Sequence, residues 1–518
     1  MRLNDVLRFN LAVRGDEPAF RAGGQTLTHR QLEARASRLA SFLAESAPKG
    51  SRVCVLLANC IVYPEVFFAC AKAGMIIVPL GPQLMEADIL RVLEECGPSL
   101  FVTQASQADK ARGAIERYQG GGLTVLCDDD LGEGTPAGWL GYGDAVAPGQ
   151  PSMEGDVSSA EEPAVILFTS GTTGRPKGVI HSQGNFVRGA NTVLTSLGIA
   201  APGCALQVLP LAGINFVWAL AFYMAGIEVE LLRKFEAEKL PGQLSDSRIS
   251  HVVVAPIMLD LISRDPSRAE GSDFSQLRML GYGGSRTPRE VAQRAMGLYG
   301  PVLRQMYGQT EISGLVSSKP AWLHRDDFET AGVPLLGVET RIVAPDGADV
   351  TAAGGVGEIQ ARSGFALLGY WGRMDIGAPA DGWVRTGDTG RMTPEGRLVI
   401  MGRVDDMIVT GGSNVFPREV EEVLLGHPEV SEIAVIGVPD PTWGERVTAF
   451  VVAPRRPSAA LEPELRSMAE RELASAKRPR AWHFVATLPR NPTGKIIKAA
   501  LVQMAARPEG RGAPENAA

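Results

Sequence analysis

Short unbroken apolar runs alternate along this chain with longer stretches in which apolar residues recur every three or four positions. Thr28-His29-Arg30-Gln31 has the form of a capping box and predicts a helix start. Leu32, Ala36, Leu39, Ala40 and Leu43 then fall on one helical face. Residues 53–57 form an apolar run that suits a buried strand, a helical stretch follows through 66–71, and residues 75–79 form another apolar run. Strand, helix and strand in about 30 residues is a βαβ unit. Comparable runs at 165–168, 252–256 and 277–280 continue the alternation. The pattern predicts α/β layers built on mostly parallel sheets.

From about residue 335 the strands come closer together and turns become denser, at 339–343, 357–361, 383–388 and 397–401. That texture predicts an antiparallel or barrel-like subdomain. Past residue 405 a new unit reads as helix (417–425), strand (432–438), strand (447–453), helix (461–474) and a last helix after Lys495. The expected organisation is a large N-terminal domain, 1–404, a small α+β domain, 405–506, and a tail, 507–518, whose Pro, Gly, Ala and charge predict disorder. No internal repeat is visible.

Composition narrows the classes. The 518 residues are 45% hydrophobic and 21% charged, as in ordinary globular proteins, with a net charge of −7 and no dense Lys/Arg block. Nucleic-acid binding is not expected. The 59 glycines point to many tight turns and backbone-lined sites. The cysteines Cys54, Cys60, Cys70, Cys96, Cys127 and Cys204 have no CxxC spacing, and the histidines no HxxxH or HExxH. That excludes a disulfide framework and predicts no structural zinc. The N-terminus lacks the apolar core of a secretory signal. The most apolar stretch, 216–227, is shorter than the roughly 20 residues a bilayer requires. A reduced, cytoplasmic enzyme is the expectation.

The segment Phe168-Thr-Ser-Gly-Thr-Thr-Gly-Arg-Pro-Lys-Gly178 follows a strand and is rich in glycine and small hydroxyls, whose N–H and Oγ groups can surround a polyphosphate. It is not a Walker loop, because proline stands at 176 where glycine is needed. The segment resembles the signature loop of the adenylate-forming superfamily, which includes acyl-CoA synthetases. Further motifs follow in the family's order: Gly283-Gly284-Ser285, Tyr307-Gly-Gln-Thr-Glu311, Trp383-Val-Arg-Thr-Gly-Asp388, Gly402-Arg403-Val-Asp405, Gly411-Gly412-Ser-Asn414 and Pro489-Arg-Asn-Pro-Thr-Gly-Lys495. The last third most resembles benzoate-type carboxylic acid–CoA ligases. The likeness covers all but the tail.

The resemblance implies ATP, Mg²⁺ and CoA as co-substrate. Thr169, Ser170, Gly171, Thr172, Thr173 and Lys177 would hold the β and γ phosphates. Gly283, Gly284, Ser285, Met306, Tyr307, Gly308 and Gln309 would flank adenine, with missing side chains admitting the ring. Thr310 would touch the α-phosphate and Glu311 would hold Mg²⁺, which prefers oxygen ligands. Asp388 would accept from the ribose hydroxyls, with Arg403 nearby. Lys495 would meet the charge that develops at the α-phosphorus. Asp405 matches a hinge about which a mobile small domain turns. Gly411 and Gly412 would line a pantetheine channel, and Trp443, Arg478 and Arg480 would meet the CoA nucleotide. Taken singly, Asp388 reads as a turn residue, Glu311 as a solvated acid, Lys495 as a surface lysine and Arg403 as a structural ion pair. Trp443 reads equally as a loop anchor, and the arginines as a solvated basic cluster.

One motif departs from the pattern. After Pro210-Leu211 the family usually has an aromatic residue and a histidine, where this chain has Ala212 and Gly213. Less bulk there implies a wider acid pocket. No Asp stands between 209 and 218 to hold an α-ammonium, which argues against amino acids. Gly213, Asn215 and Phe216 are pocket candidates, or else they pack a buried helix. The function implied is a two-step, ATP-dependent carboxylic acid–CoA ligase acting on an aryl or cyclic acid. A carrier protein's phosphopantetheine arm is the alternative acceptor, and a homodimer stays open.

Overall fold

The computed structural model describes residues 1–155, 157–169, 177–285, 287–373, 379, 381–453, 460–490 and 496–506. The chain forms two units. Met1–Thr340, Gln360–Val384 and Gly396–Leu398 make the first, and Arg341–Ile359, Arg385–Glu395 and Val399–Ala518 the second.

In the first unit the capping box forms as its residues dictate. Thr28 Oγ1 accepts from the Gln31 N–H at 3.2 Å, and Gln31 Oε1 accepts from the Thr28 N–H at 2.9 Å. The helix His29–Ser46 follows and buries Leu32, Ala36, Leu39, Ala40 and Leu43. Next comes the βαβ unit, Arg52–Leu56, Val62–Ala73 and Ile76–Leu80, whose strands pair in parallel from Arg52–Ile76 to Leu56–Leu80.

These strands belong to an eight-stranded sheet in the order Gly369–Tyr370, Lys177–Ser182, Pro163–Thr169, Ile76–Leu80, Arg52–Leu56, Leu100–Gln104, Thr124–Asp128, Leu140–Gly141. A nine-stranded sheet carries Ser317–Lys319, Leu303–Tyr307, Met279–Gly283, Ile249–Val254, Cys204–Gln207 and Glu228–Leu231 side by side in its middle. One apolar core joins the two sheets through helices between them. The most apolar segment of the chain is such a helix, Phe216–Met224, buried from Phe216 to Tyr223. Phe216 stacks on Phe67 with centroids 3.9 Å apart and on Tyr63 at 5.7 Å. A helix apolar on every side has no solvent face to offer and takes the inner layer.

The strands Val338–Val343, Gly357–Ser363, Val384–Met392 and Leu398–Arg403 form a four-stranded sheet in that order. In the second unit, Glu432–Asp440 pairs antiparallel with Gly444–Val452 along its whole length. Ile433 and Val435 face the helices Pro417–Leu425 and Leu461–Glu472 through Val420, Leu424, Leu461 and Leu465. Ala434, Ile436 and Val438 face the other way, where Leu501 of the helix Lys498–Ala505 packs. This is the period-two alternation of a sheet covered on both faces. A strand that the hydrophobic pattern does not announce, Ala481–Phe484, pairs in parallel with Gly444–Val452.

All six cysteines are free thiols. Burial pushes Cys60 up to about 12, so it stays a protonated thiol at neutral pH. Among the described residues no helix is long and apolar enough to cross a membrane.

Candidate functional site

The signature segment sits between two paired strands. Pro163–Thr169 runs antiparallel to Lys177–Ser182, with Phe168 opposite Gly178 and Thr169 opposite Lys177. The expected phosphate-loop residues Ser170, Gly171, Thr172 and Thr173 lie outside the described residues, as does Lys495. The other edge of the Lys177 strand is taken by Gly369–Tyr370, with Tyr370 opposite Val179. The Tyr370 ring lies 5.9 Å from Lys177 Nζ, and its hydroxyl donates to Glu311 Oε1 at 3.2 Å. Burial and the Glu311 carboxylate both push the Tyr370 phenol up from its ordinary range, so it remains a donor. One ring thereby brings together a cation and a carboxylate that are 134 residues apart in the chain.

The second wall comes from the nine-stranded sheet. Met279–Gly283 and Leu303–Tyr307 are parallel, with Gly283 opposite Met306. A β-carbon at Gly283 would collide with the Met306 carbonyl oxygen, and one at Gly308 with the Gly314 carbonyl oxygen. The chain's own backbone therefore already requires glycine at both positions. Gly284 and Ser285 are exposed, and a β-carbon at Gly284 would meet nothing within 4 Å. Beside them, Gln309 Nε2 is buried with no hydrogen-bond partner among the described residues. Thr310–Ile312 is a single helical turn that closes with Ser313 N–H donating to the Thr310 carbonyl at 3.1 Å. The Thr310 carbonyl also receives His181 Nε2 at 2.8 Å, which ties this turn to the strand that follows the signature segment.

The candidate acid segment is held from below by Asn59. Its Nδ2 donates to the Leu209 carbonyl at 3.1 Å, and its Oδ1 accepts from Leu211 N–H at 2.8 Å. Gly213 has φ +80° and open space around a β-carbon. Asn215 Nδ2 donates to the Pro210 carbonyl at 3.0 Å, so its amide closes the loop. Phe216 is 2% exposed and belongs to the aromatic core just described. A β-carbon at Gly314 would come within 3.6 Å of Ile214 Cγ1, which sets this segment against the end of the Thr310 turn.

The remaining candidates lie in the second unit. Arg403 Nη1 donates to Asp388 Oδ1 at 3.0 Å and to the Thr386 carbonyl at 2.9 Å, so the two expected ribose residues form an ion pair. Asp405 is exposed within the turn Val404–Asp406. Gly411 and Gly412, at φ +54° and +79°, are the two-residue loop of a hairpin in which Thr410 faces Ser413. Two left-handed positions in such a loop explain glycine there without any ligand. A β-carbon at 412 would meet nothing within 4 Å, whereas one at 411 would press on Trp443 Cε3 at 3.1 Å. The Arg480 guanidinium lies 3.7 Å from the Trp443 ring centroid. Arg478 instead caps a helix end, with Nε on the Leu473 carbonyl at 3.0 Å and Nη2 on the Glu470 carbonyl at 2.9 Å.

Tyr370, Asn59, His181 and Ser313 did not emerge from the sequence reading. The aromatic pair Tyr370-Trp371 after Gly369 and the polar Asn59 after an apolar run were available signals. Nothing in the sequence marks His181, one polar residue within a strand.

A family model described as AMP-binding enzyme matches residues 7–371, and the AMP-binding enzyme C-terminal domain matches residues 419–495. A fatty acid–[acyl-carrier-protein] ligase of Streptomyces coeruleorubidus is 32% identical over 495 residues, covering 93% of this chain and 92% of the relative. A feruloyl-CoA synthase of an Amycolatopsis species is 33% identical over 486 residues, covering 93% and 94%. A benzoate CoA ligase of Burkholderia xenovorans has the same fold, with a TM-score of 0.83 at 24% identity over 96% of this chain and 99% of that one.

Proposed function

We propose, from the premise that this chain belongs to the AMP-binding enzyme family and is an acid-activating ligase, that it joins a carboxylic acid to CoA at the expense of ATP. In the first step a carboxylate oxygen attacks the α-phosphorus, the bond to pyrophosphate breaks, and an acyl-AMP anhydride forms. In the second, a thiol sulfur attacks the acyl carbon, AMP leaves, and the thiol proton goes to solvent or a base. The observation that carries this reading is the Lys177–Tyr370–Glu311 arrangement beside the paired ends of the signature segment. It offers a cation for phosphate oxygens and a carboxylate held by a neutral donor.

In this reading Thr169 and Lys177, with the loop between them, face the β and γ phosphates. Gly284, Ser285, Tyr307 and Gln309 meet the base, where Gln309 Nε2, without a partner among the described residues, can donate to a ring nitrogen. Thr310 lies at the α-phosphate. Glu311 has the oxygen chemistry that Mg²⁺ prefers, and the ion there would neutralise charge on the departing phosphates. Asp388, oriented by Arg403, takes the ribose. The domain boundary is set at Asp405, and the small domain, 405–506, turns there between the two steps. Gly412, Trp443 and Arg480 then face CoA: a flat ring with a stacked guanidinium suits an adenine and its phosphate. The acid is aromatic or cyclic, a choice supported by the feruloyl-CoA synthase relative.

The carrier-protein reading keeps the same first step, and the acyl-carrier-protein ligase relative favours it. Acid-dependent pyrophosphate release across aromatic, alicyclic and linear acids, with free CoA or a phosphopantetheinylated carrier protein in the second step, separates the two. Saturable turnover with CoA supports the ligase proposed here. Turnover with the carrier alone replaces it.

The acid pocket gives a further test. Gly213 is left-handed, so a side chain there is strained whatever space it has. Ala212 has ordinary angles, φ −58° and ψ 139°. Ala212→Phe is expected to lower kcat/KM for bulky acids relative to small ones by about 5- to 150-fold, the effect of roughly 1–3 kcal/mol of overfilling. KM for ATP should not change. An unchanged ratio of bulky to small acids removes this segment from the pocket.

A further inference from the structure

We infer that His181 and Ser313 are positioning residues for the adenylate-forming step, because together they fix the Thr310 carbonyl and hence the turn that presents Thr310 and Glu311. The inference rests on the ligase reading above.

Three observations meet at this turn. First, His181 is completely buried, with Nε2 at 2.8 Å from the Thr310 carbonyl and Nδ1 at 3.1 Å from Ser313 Oγ. Burial lowers its pKa to about 4, so the ring is neutral and carries one proton. A carbonyl can only accept, which places that proton on Nε2 and leaves Nδ1 to accept from the Ser313 hydroxyl. Second, Ser313 Oγ is also 2.7 Å from the Phe365 carbonyl, so its one proton is shared between two acceptors and the hydroxyl is committed from both sides. Third, Ser313 is the one non-glycine residue with positive φ, +47°, among the described residues. Such a conformation is unfavourable for a residue with a β-carbon and persists only where the surroundings impose it. Glycine would adopt it freely but would lose the hydroxyl.

The surroundings are shaped to fit. A β-carbon at Gly189 would lie 2.7 Å from Ser313 Cβ, so the neighbouring helix needs glycine to make room for this serine. On the other side of the turn the Glu311 carbonyl accepts from Leu367 N–H at 2.8 Å. The peptide groups on both sides of Glu311 are therefore clamped through their carbonyls. Displacing a reacting constellation by about 1 Å can cost on the order of 10²-fold in rate.

The test uses the full chain and four variants: His181→Leu, His181→Gln, Ser313→Ala and Ser313→Gly. Acid-dependent pyrophosphate release is followed against ATP and Mg²⁺, thioester formation from supplied acyl-AMP is followed separately, and each melting temperature is recorded. His181→Leu should lower kcat for pyrophosphate release about 10- to 100-fold and raise the Mg²⁺ concentration needed. Conversion of supplied acyl-AMP should stay near wild type. His181→Gln, whose amide N–H can reach the Thr310 carbonyl, should recover most of the loss. Ser313→Gly should melt higher yet release pyrophosphate more slowly, while Ser313→Ala should lose on both counts. A purely structural pair would lower the melting temperature of both His181 variants alike and leave kcat of the folded enzyme unchanged. That result, or a fully active Ser313→Gly, overturns the inference. A wild-type chain that releases no pyrophosphate with any acid overturns the ligase reading instead.

Discussion

Lys495→Ala should lower acid-dependent pyrophosphate release by about 10²–10³-fold, or ~2.7–4 kcal/mol of transition-state stabilisation, with ATP binding little changed. The argument is chemical. As the acid oxygen closes on the α-phosphorus, negative charge grows on the non-bridging oxygens, and a single ammonium there interacts more strongly with the transition state than with bound ATP. The motif Pro489-Arg-Asn-Pro-Thr-Gly-Lys495 would supply that ammonium. Its flanks are tied together: Arg490 and Ile496 form an antiparallel bridge, and Ile497 N–H donates to the Pro489 carbonyl at 2.8 Å. Acyl-AMP supplied from outside should still become thioester, because the second step does not use this charge. A variant that releases pyrophosphate at the wild-type rate ends the assignment of Lys495.

Gly308→Ala should be nearly as damaging for a different reason. The added methyl would be driven into the Gly314 carbonyl oxygen and against the Leu315 backbone. A flexible side chain can swing aside from such a contact, but two backbone segments of one turn cannot. Overpacking typically costs about 1–3 kcal/mol and occasionally more. Here the strain falls between Tyr307 and Thr310, so both half-reactions should drop together and the melting temperature with them. Joint loss is what separates this variant from Lys495→Ala. An alanine variant that melts and turns over like wild type would show that the turn yields, and that Gly308 is not held by its neighbours.

Legibility differed by element for physical reasons. The helix after Thr28 was readable because cap and apolar face are local: the four residues Thr28 to Gln31 announce the start and spacing gives the buried side. The strand expected at 277–280 forms two residues later, at Met279–Gly283, because pairing with Leu303–Tyr307 sets its ends and pairing is not a local property. Ala481–Phe484 was missed because a short strand with a histidine in it lacks the apolar run that marks a strand. At the site, motif order named Glu311 and Lys177 without showing what joins them. Tyr370 does so by pairing its strand with Lys177–Ser182, a contact between positions nearly two hundred residues apart. Arg478 shows the opposite limit: a cluster of basic residues in sequence does not disclose that one of its guanidiniums is turned onto a helix end.

Phe216 has a consequence for how such an enzyme can diverge. Its ring is packed against Tyr63, Phe67 and Phe186, in the layer that joins both sheets of the first unit. Truncating a buried Phe costs about 3–5 kcal/mol, from a total that is often only about 5–15 kcal/mol. A lineage that trades this ring for a smaller one to admit a new acid therefore risks falling below the stability its fold requires. Positions 212 and 214 carry no such liability, since they are half-buried and supply no ring to the aromatic layer. New acid preferences should therefore arise first at 212 and 214, and substitutions at 216 should be found only in backgrounds already stabilised elsewhere.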